Sequence, residues 1–159
     1  MQTADTPRVA EIIVFGWRSA FRHILSDEIL FNELSVTKTM KRLEKQLTES
    51  IDEKFVFDDG IVKACFTAAD YASEETPNAL QVLEVYVDPF FQRQNIGEKM
   101  MKHSEELANK KGFNKIIAVT YAENKISRPF YEKLGFVSDG NESFSEKWGA
   151  TVVRYVKTL

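Results

Sequence analysis

The chain reads as a single α/β domain spanning residues 1–159, and three observations predict it. Apolar residues recur twice at helical spacing near the N-terminus. The pattern then changes to short runs rich in β-branched and aromatic residues, and farther on helical and strand-like segments alternate. No internal repeat and no Pro/Gly-rich linker interrupts this succession. With 43% hydrophobic and 28% charged residues, the composition suits a packed core.

Thr6-Pro7 sets a hydroxyl residue at a helix cap and proline at the first helical position. Val9, Ile12, Ile13, Trp17, Ala20, Phe21 and Ile24 follow at helical spacing. Ser35 opens a second helix, with Val36, Met40, Leu43 and Leu47 on one face and Lys38, Arg42, Glu44 and Lys45 on the other, read as facing water. Next, Phe55-Val56-Phe57 and residues 61–67 flank Asp58-Asp59-Gly60, a hairpin signal. Residues 73–78 form a polar loop.

The run from Ala79 to Val87 is almost continuously apolar and predicts a central strand buried on both faces. Asp88-Pro89 ends it. A polar turn leads to Ile96, Met100, His103 and Leu107 on one helical face, with Gly112 as the stop. Residues 116–119 read as a short buried strand, residues 124–134 as a helix closed by Gly135, and residues 151–157 as the last strand.

Several function classes are disfavoured. A net charge of −3 argues against nonspecific nucleic-acid binding while leaving cationic small molecules open. Cys65 is the only cysteine and His23 and His103 the only histidines, so neither a disulfide framework nor a metal site is expected. No segment approaches membrane-spanning length and no leader pattern opens the chain, which predicts a cytoplasmic protein without a membrane partner.

Gln92-Arg93-Gln94-Asn95-Ile96-Gly97 links the central strand to a helix. Such a turn offers unpaired N–H groups at the positive end of the helix dipole, which suits a pyrophosphate. Gly97 would admit the phosphates closely, and Arg93 would add a charge-assisted contact. The turn lacks the Gly-Lys-Ser/Thr of a phosphate loop and the three glycines of a dinucleotide fingerprint, so by itself a plain strand-to-helix connection is the default reading.

In this setting the segment resembles the Gln/Arg-x-x-Gly-x-Gly/Ala signature of the GCN5-related N-acetyltransferase (GNAT) family. Gln92 and Gly97 match its ends, and Asn95, a residue that tolerates positive φ, replaces the first glycine. Asn124-Lys125-Ile126-Ser127-Arg128-Pro129-Phe130-Tyr131-Glu132-Lys133-Leu134-Gly135-Phe136 resembles the family's second signature. Trp17-Arg18-Ser19-Ala20-Phe21 resembles a Trp-Arg-x-x-Tyr helix of one subset. Pro129 departs from a regular helix, so that helix either begins near Ser127 or is kinked.

The resemblance implies a mixed, mostly antiparallel sheet flanked by helices, with the family's first strand short, around residues 1–3, or missing. It implies acetyl-coenzyme A as cofactor and transfer of the acetyl group to a small-molecule or protein amine by direct attack in a ternary complex. Cofactor contacts would come from Val85, Tyr86 and Val87 through main-chain hydrogen bonds, from Gln92, Arg93, Gln94, Asn95, Ile96, Gly97 and Glu98, and from Asn124 and Tyr131. A bulge in the central strand would open the sheet and aim an N–H at the thioester oxygen. The acceptor pocket would lie at Trp17, Phe21 and residues 24–34, where Asp27 and Glu28 could attract an amine; core packing for the aromatics and solvent exposure for the acids is the default alternative. Dimers are common in the family, so a homodimer is one admissible assembly.

The chemistry needs a base, because an alkyl ammonium near pKa ~10 is protonated at neutral pH. Glu84, a carboxylate in an apolar strand, is the candidate, with an ion pair to lysine or arginine as the alternative. Tyr131 matches the family tyrosine beside the coenzyme sulfur and would donate to the leaving thiolate; plain aromatic packing is its alternative. Cys65, without a basic partner, reads as structural. A noncatalytic acyl-coenzyme A-binding module with the same fold is the competing function.

Overall fold

Two helices open the chain. Thr6 is the first helical residue of the first one and not its cap: Asp5 holds the cap position, and Thr6 Oγ1 donates to Thr3 O at 2.9 Å. Helix α1 (Thr6–Phe21) carries Pro7 in its first turn, and helix α2 (Val36–Glu49) starts where the Ser35 hydroxyl accepts from the Lys38 N–H at 3.2 Å. A short π-helical segment, Glu28–Glu33, lies between them. There the Arg18 guanidinium caps free carbonyls, with Nε donating to Leu30 O at 3.0 Å and Nη2 to Leu34 O at 3.4 Å.

Strands β1 (Glu53–Asp58) and β2 (Val62–Tyr71) form the hairpin that Gly60 turns at a φ of 105°. They are followed by β3 (Ala79–Val87), α3 (Ile96–Lys110), β4 (Lys115–Tyr121), α4 (Ser127–Lys133), β5 (Val137–Ser145) and β6 (Ala150–Thr158). This computed structural model describes residues 1–74 and 76–159; Glu75 of the polar loop read over residues 73–78 lies outside the described residues. One six-stranded sheet results, in the order β1-β2-β3-β4-β6-β5, with β3 and β4 parallel and every other pair antiparallel. No helix among the described residues is long and apolar enough to cross a membrane.

Period-two alternation sends each strand's side chains to two different cores. On one face Phe66, Leu80, Ile116, Ala118 and Tyr155 pack with Ile96, Met100 and Met101 of α3 and Tyr131 of α4. On the other, Val56 and Cys65 pack with Val9, Ile12 and Ile13 of α1 and Leu43 of α2. Farther along that face, Phe21, Leu25 and Leu30 meet Tyr121 and Ala150.

Two readings need correcting, at His103 and at β5, and two alternatives left open by the sequence are decided. Of the face read for α3, Ile96 and Met100 are buried, together with Met101, Ser104 and Ala108; His103 is exposed and rests its ring edge on Phe55 and Phe66, 4.8 and 6.0 Å between centroids. The helix read over residues 124–134 begins at Ser127, which puts Pro129 in the first turn, where its missing N–H costs nothing. No first strand forms: residues 3–5 make a 3-10 turn, and the Met1 ammonium reaches the sheet edge by one bond to Lys54 O at 3.1 Å. The sequence reading missed β5, whose side chains are exposed along nearly its whole length.

One ion pair between a partly exposed arginine and a buried carboxylate joins α1 to the end of β3. Arg8 Nη2 donates to the Asp88 carboxylate, which is 3% exposed, while Arg8 Nε donates to Val62 O at 3.1 Å. Asp88 also accepts from Phe90 N–H at 2.8 Å, and its own N–H donates to Lys63 O. Arg8→Met leaves that carboxylate buried and unpaired, so it is expected to cost about 3 kcal/mol, read from urea-unfolding midpoints.

Candidate active site

The site begins where the sheet divides. β3 and β4 pair only from Ala79 opposite Lys115 to Val82 opposite Ala118. Beyond that point β3 stays with β2 and β4 with β6, so a cleft opens between residues 83–87 and residues 119–121. A bulge marks the fork: Thr67 faces Glu84 and Ala68 faces Val82, which leaves Leu83 without a partner. An extra residue bends its strand, and Leu83 is 44% exposed. The expected burial on both faces therefore holds for Ala79, Leu80 and Val82 but fails for residues 83–87.

Glu84 leaves the sheet on the α1–α2 side. Its Oε1 accepts from Arg42 Nη1 at 3.1 Å, so the ion pair left open by the sequence is present, supplied by a residue read as facing water. Lys54 and Thr67 are cross-strand neighbours, as are Thr67 and Glu84, and together they make a polar row over β1, β2 and β3. Lys54 Nζ donates to Thr67 Oγ1 at 3.3 Å. Burial holds this lysine below its ordinary titration range, and the negative charge of Glu84 opposes that only in part.

Tyr131 lies across the sheet from Glu84, in the core formed with α3. Its ring sits among Phe130, Phe136 and Tyr155, with centroids 5.6, 5.5 and 5.9 Å away. It is 5% exposed, burial pushes its phenol well up, and its hydroxyl has no hydrogen-bond partner among the described residues. Such a hydroxyl is a protonated donor at any physiological pH.

Aromatic rings gather on the Glu84 side. Trp17 meets Phe21 at 5.1 Å and Trp148 at 5.2 Å, and Phe21 meets Tyr121 at 5.0 Å, all edge-on. Tyr86 presses against α1 so closely that a Cβ on Gly16 would stand 2.8 Å from its ring. The Trp17 indole N–H comes near the Tyr86 hydroxyl without completing a hydrogen bond. Burial raises the phenols of both Tyr86 and Tyr121, the latter to about 12. Tyr121 and Trp148 were not anticipated; one ends β4, the other lies in the turn between β5 and β6, and neither position carries a local signal. Asp27 and Glu28 are exposed, and Glu28 is engaged by Asn32 at 2.6 Å.

The turn after β3 curls through two left-handed residues, Arg93 at φ 63° and Asn95 at φ 59°. Asn95 is the N-cap of α3 and makes no side-chain capping bond, so the first amides of the helix, at Ile96, Gly97 and Glu98, are left to an external acceptor. Gln92, Arg93 and Gln94 are exposed around them, and Gln92 Nε2 reaches back to Val87 O at 3.4 Å. Gly97 also has a packing reason. A Cβ there would lie 3.2 Å from the Phe130 ring and 3.7 Å from Val87, so its bareness lets α3 close on α4 and β3.

Asn124 is buried beneath α4. Its Oδ1 accepts from the Ile126 and Ser127 N–H groups at 3.0 Å each, and its Nδ2 donates to Thr120 Oγ1 at 3.1 Å and Ser127 Oγ at 2.7 Å. The side chain thus caps the helix that holds Tyr131. Cys65 is buried against α1, and burial, then the charge of Glu84, pushes its thiol well up.

Two measurements check this geometry. Asn95→Gly is expected to leave the thermal midpoint nearly unchanged, whereas Asn95→Val, forced into the left-handed region, is expected to lose about 1–2 kcal/mol. Cys65 is expected to resist a thiol reagent in the native protein at pH 8 and to react at once in denaturant.

A sequence model of the acetyltransferase (GNAT) family matches residues 22–136. Solved structures share the fold at low identity. A PaiA N-acetyltransferase from Thermoplasma acidophilum, in complex with coenzyme A, superposes with a TM-score of 0.74 at 17% identity, over 97% of this chain and 94% of its own. The ribosomal-protein-alanine N-acetyltransferase of Brucella melitensis gives 0.73 at 19% identity, over 100% and 97%. Ard1 from Thermoplasma volcanium gives 0.70 at 17%, over 100% and 94%. The forked sheet, the turn at the start of α3 and the match to the family over most of the chain lead to one conclusion: the protein belongs to the GNAT acetyltransferase family.

Proposed function

We propose that this protein binds acetyl-coenzyme A in the fork between β3 and β4 and transfers the acetyl group to a primary amine by direct attack in a ternary complex. One observation carries the reading: Glu84 and Tyr131 project to opposite faces of the sheet beside the same fork. A carbonyl held in that opening can be approached by an amine from one side while its thiol leaves toward the other.

The residues fit the cofactor. The main chain of residues 83–87 lacks β4 as a partner, so Val85, Tyr86 and Val87 can bond to an extended amide-bearing arm as a strand would. The amides of Ile96, Gly97 and Glu98 and the side chains of Gln92, Arg93 and Gln94 surround the place a pyrophosphate would take. Asn124 contributes by capping α4. The cofactor supplies a thioester, whose carbonyl is reactive and whose thiol leaves readily.

Glu84, reached directly or through water, takes the proton of the incoming ammonium, and Arg42 fixes the direction of its carboxylate. Tyr131 acts as a hydrogen-bond donor to the departing sulfur. Full proton transfer is disfavoured: an ordinary phenol near ~10 against a thiol near ~8.5 is already about 2 kcal/mol uphill, and burial raises the phenol further. The rings of Trp17, Phe21, Tyr121 and Trp148 bound the acceptor side, and a small-molecule or protein amine is the acceptor class.

Glu84→Gln is expected to lower acetyl transfer about a hundredfold and Tyr131→Phe about tenfold, with acetyl-coenzyme A affinity by calorimetry nearly unchanged. Thiol release across a panel of primary amines identifies the acceptor. Wild-type rates in both variants at every pH would remove these roles, and saturable coenzyme binding with no transfer to any amine would favour a noncatalytic acyl-coenzyme A module.

A further inference from the structure

Helix α4 has seven residues, too few to persist without tertiary support, yet it carries Tyr131. Its N-terminus rests on Asn124. Phe130 packs against α3 at Gly97 and Lys133 Nζ donates to Glu98 Oε1 at 2.6 Å, while two further bonds, one from each turn, meet at a single atom. The Tyr155 hydroxyl accepts from Arg128 Nε at 3.1 Å and donates to Glu132 Oε1 at 2.8 Å. Arg128 and Glu132 are one turn apart and flank Tyr131 along the helix. Arg128 Nη1 continues to Ala122 O at 2.8 Å, at the end of β4.

Tyr155 is 1% exposed and sits in β6 opposite Ala118, which is the last β4 residue paired with β3. Its ring lies 5.9 Å from that of Tyr131. A single phenol on the row where the sheet divides therefore clamps both turns of the helix.

We infer that Tyr155 is a positioning residue: its bidentate hold on Arg128 and Glu132 sets how deeply Tyr131 reaches toward the fork, and so the strength of the hydrogen bond Tyr131 offers the coenzyme sulfur. This rests on the reading of Tyr131 given above. The hydroxyl of Tyr155 never meets the reacting atoms. Its removal leaves the ring and the core packing in place but frees α4 to shift, and a displacement near 1 Å is enough to weaken a directed contact.

The test needs no acceptor. Coenzyme A is bound to the intact protein and its thiolate absorbance is followed against pH, since a donor to the sulfur favours the thiolate and lowers the pH at which it forms. Tyr131→Phe is expected to move that midpoint up by about one pH unit, as loss of a hydrogen bond to a charged group implies. Tyr155→Phe is expected to give at least half of that shift, and the double variant to titrate with Tyr131→Phe alone. Merely structural loosening would leave the single Tyr155→Phe midpoint at the wild-type value or add a further shift in the double variant, and either result overturns the inference while the role of Tyr131 stands. An unshifted Tyr131→Phe removes that role and the inference with it. Should Tyr155→Phe fail to fold, Arg128→Met cuts one arm of the clamp and carries the same comparison.

Discussion

The protein depends on two parallel strands that stop pairing early. β3 and β4 share hydrogen bonds only over residues 79–82 and 115–118, and the bulge at Leu83 turns β3 aside where the ladder ends. Backbone amides in a sheet interior demand partners, so a fork of this kind persists only where water or a ligand satisfies them. The same break removes β4's cover from residues 83–87, places Glu84 on one face of an accessible opening, and brings the turn into α3 to its mouth. A continuous ladder here would give a better-packed sheet with no site.

Holding a fork open requires bracing from both faces. On the α1 side the Arg8–Asp88 pair fixes the end of β3, and the close approach of Tyr86 to Gly16 keeps the helix flush with the strand. On the other side, Gly97 lets α3 close on Phe130, which joins two sequence segments more than thirty residues apart into one wall. The short α4 is fastened below by Asn124 and sideways by Tyr155. Residues matching the two family signatures thus act largely on one another.

Most of the architecture was legible in the sequence because periodicity reports burial, and burial decides helices, the hairpin and the start of β3. Asn95 was read from its tolerance of positive φ, and the structure places it at 59°. Two things escaped, and a third, the bulge, was implied by the family resemblance and not by the residues themselves. Leu83 looks like any strand leucine, since a bulge is a matter of register between strands and leaves no mark on one of them. Arg42 sits on what is otherwise a wet helix face, so its reach to Glu84 is visible only once α2 lies over the sheet. Tyr155 reads as one more apolar strand residue, and its two polar partners come from a helix more than twenty residues earlier.

β5 is the limiting case. Val-Ser-Asp-Gly-Asn-Glu-Ser-Phe-Ser has no hydrophobic period, its side chains bury almost nothing, and it is a strand only because β6 offers it a ladder. It closes one edge of the sheet and lies outside both faces of the fork. Backbone bonds without side-chain burial open at little cost, so its amides would exchange with solvent well before those of β4 and β6. Native opening then proceeds from this edge inward, and β6, the strand that carries Tyr155, stays protected while its neighbour frays.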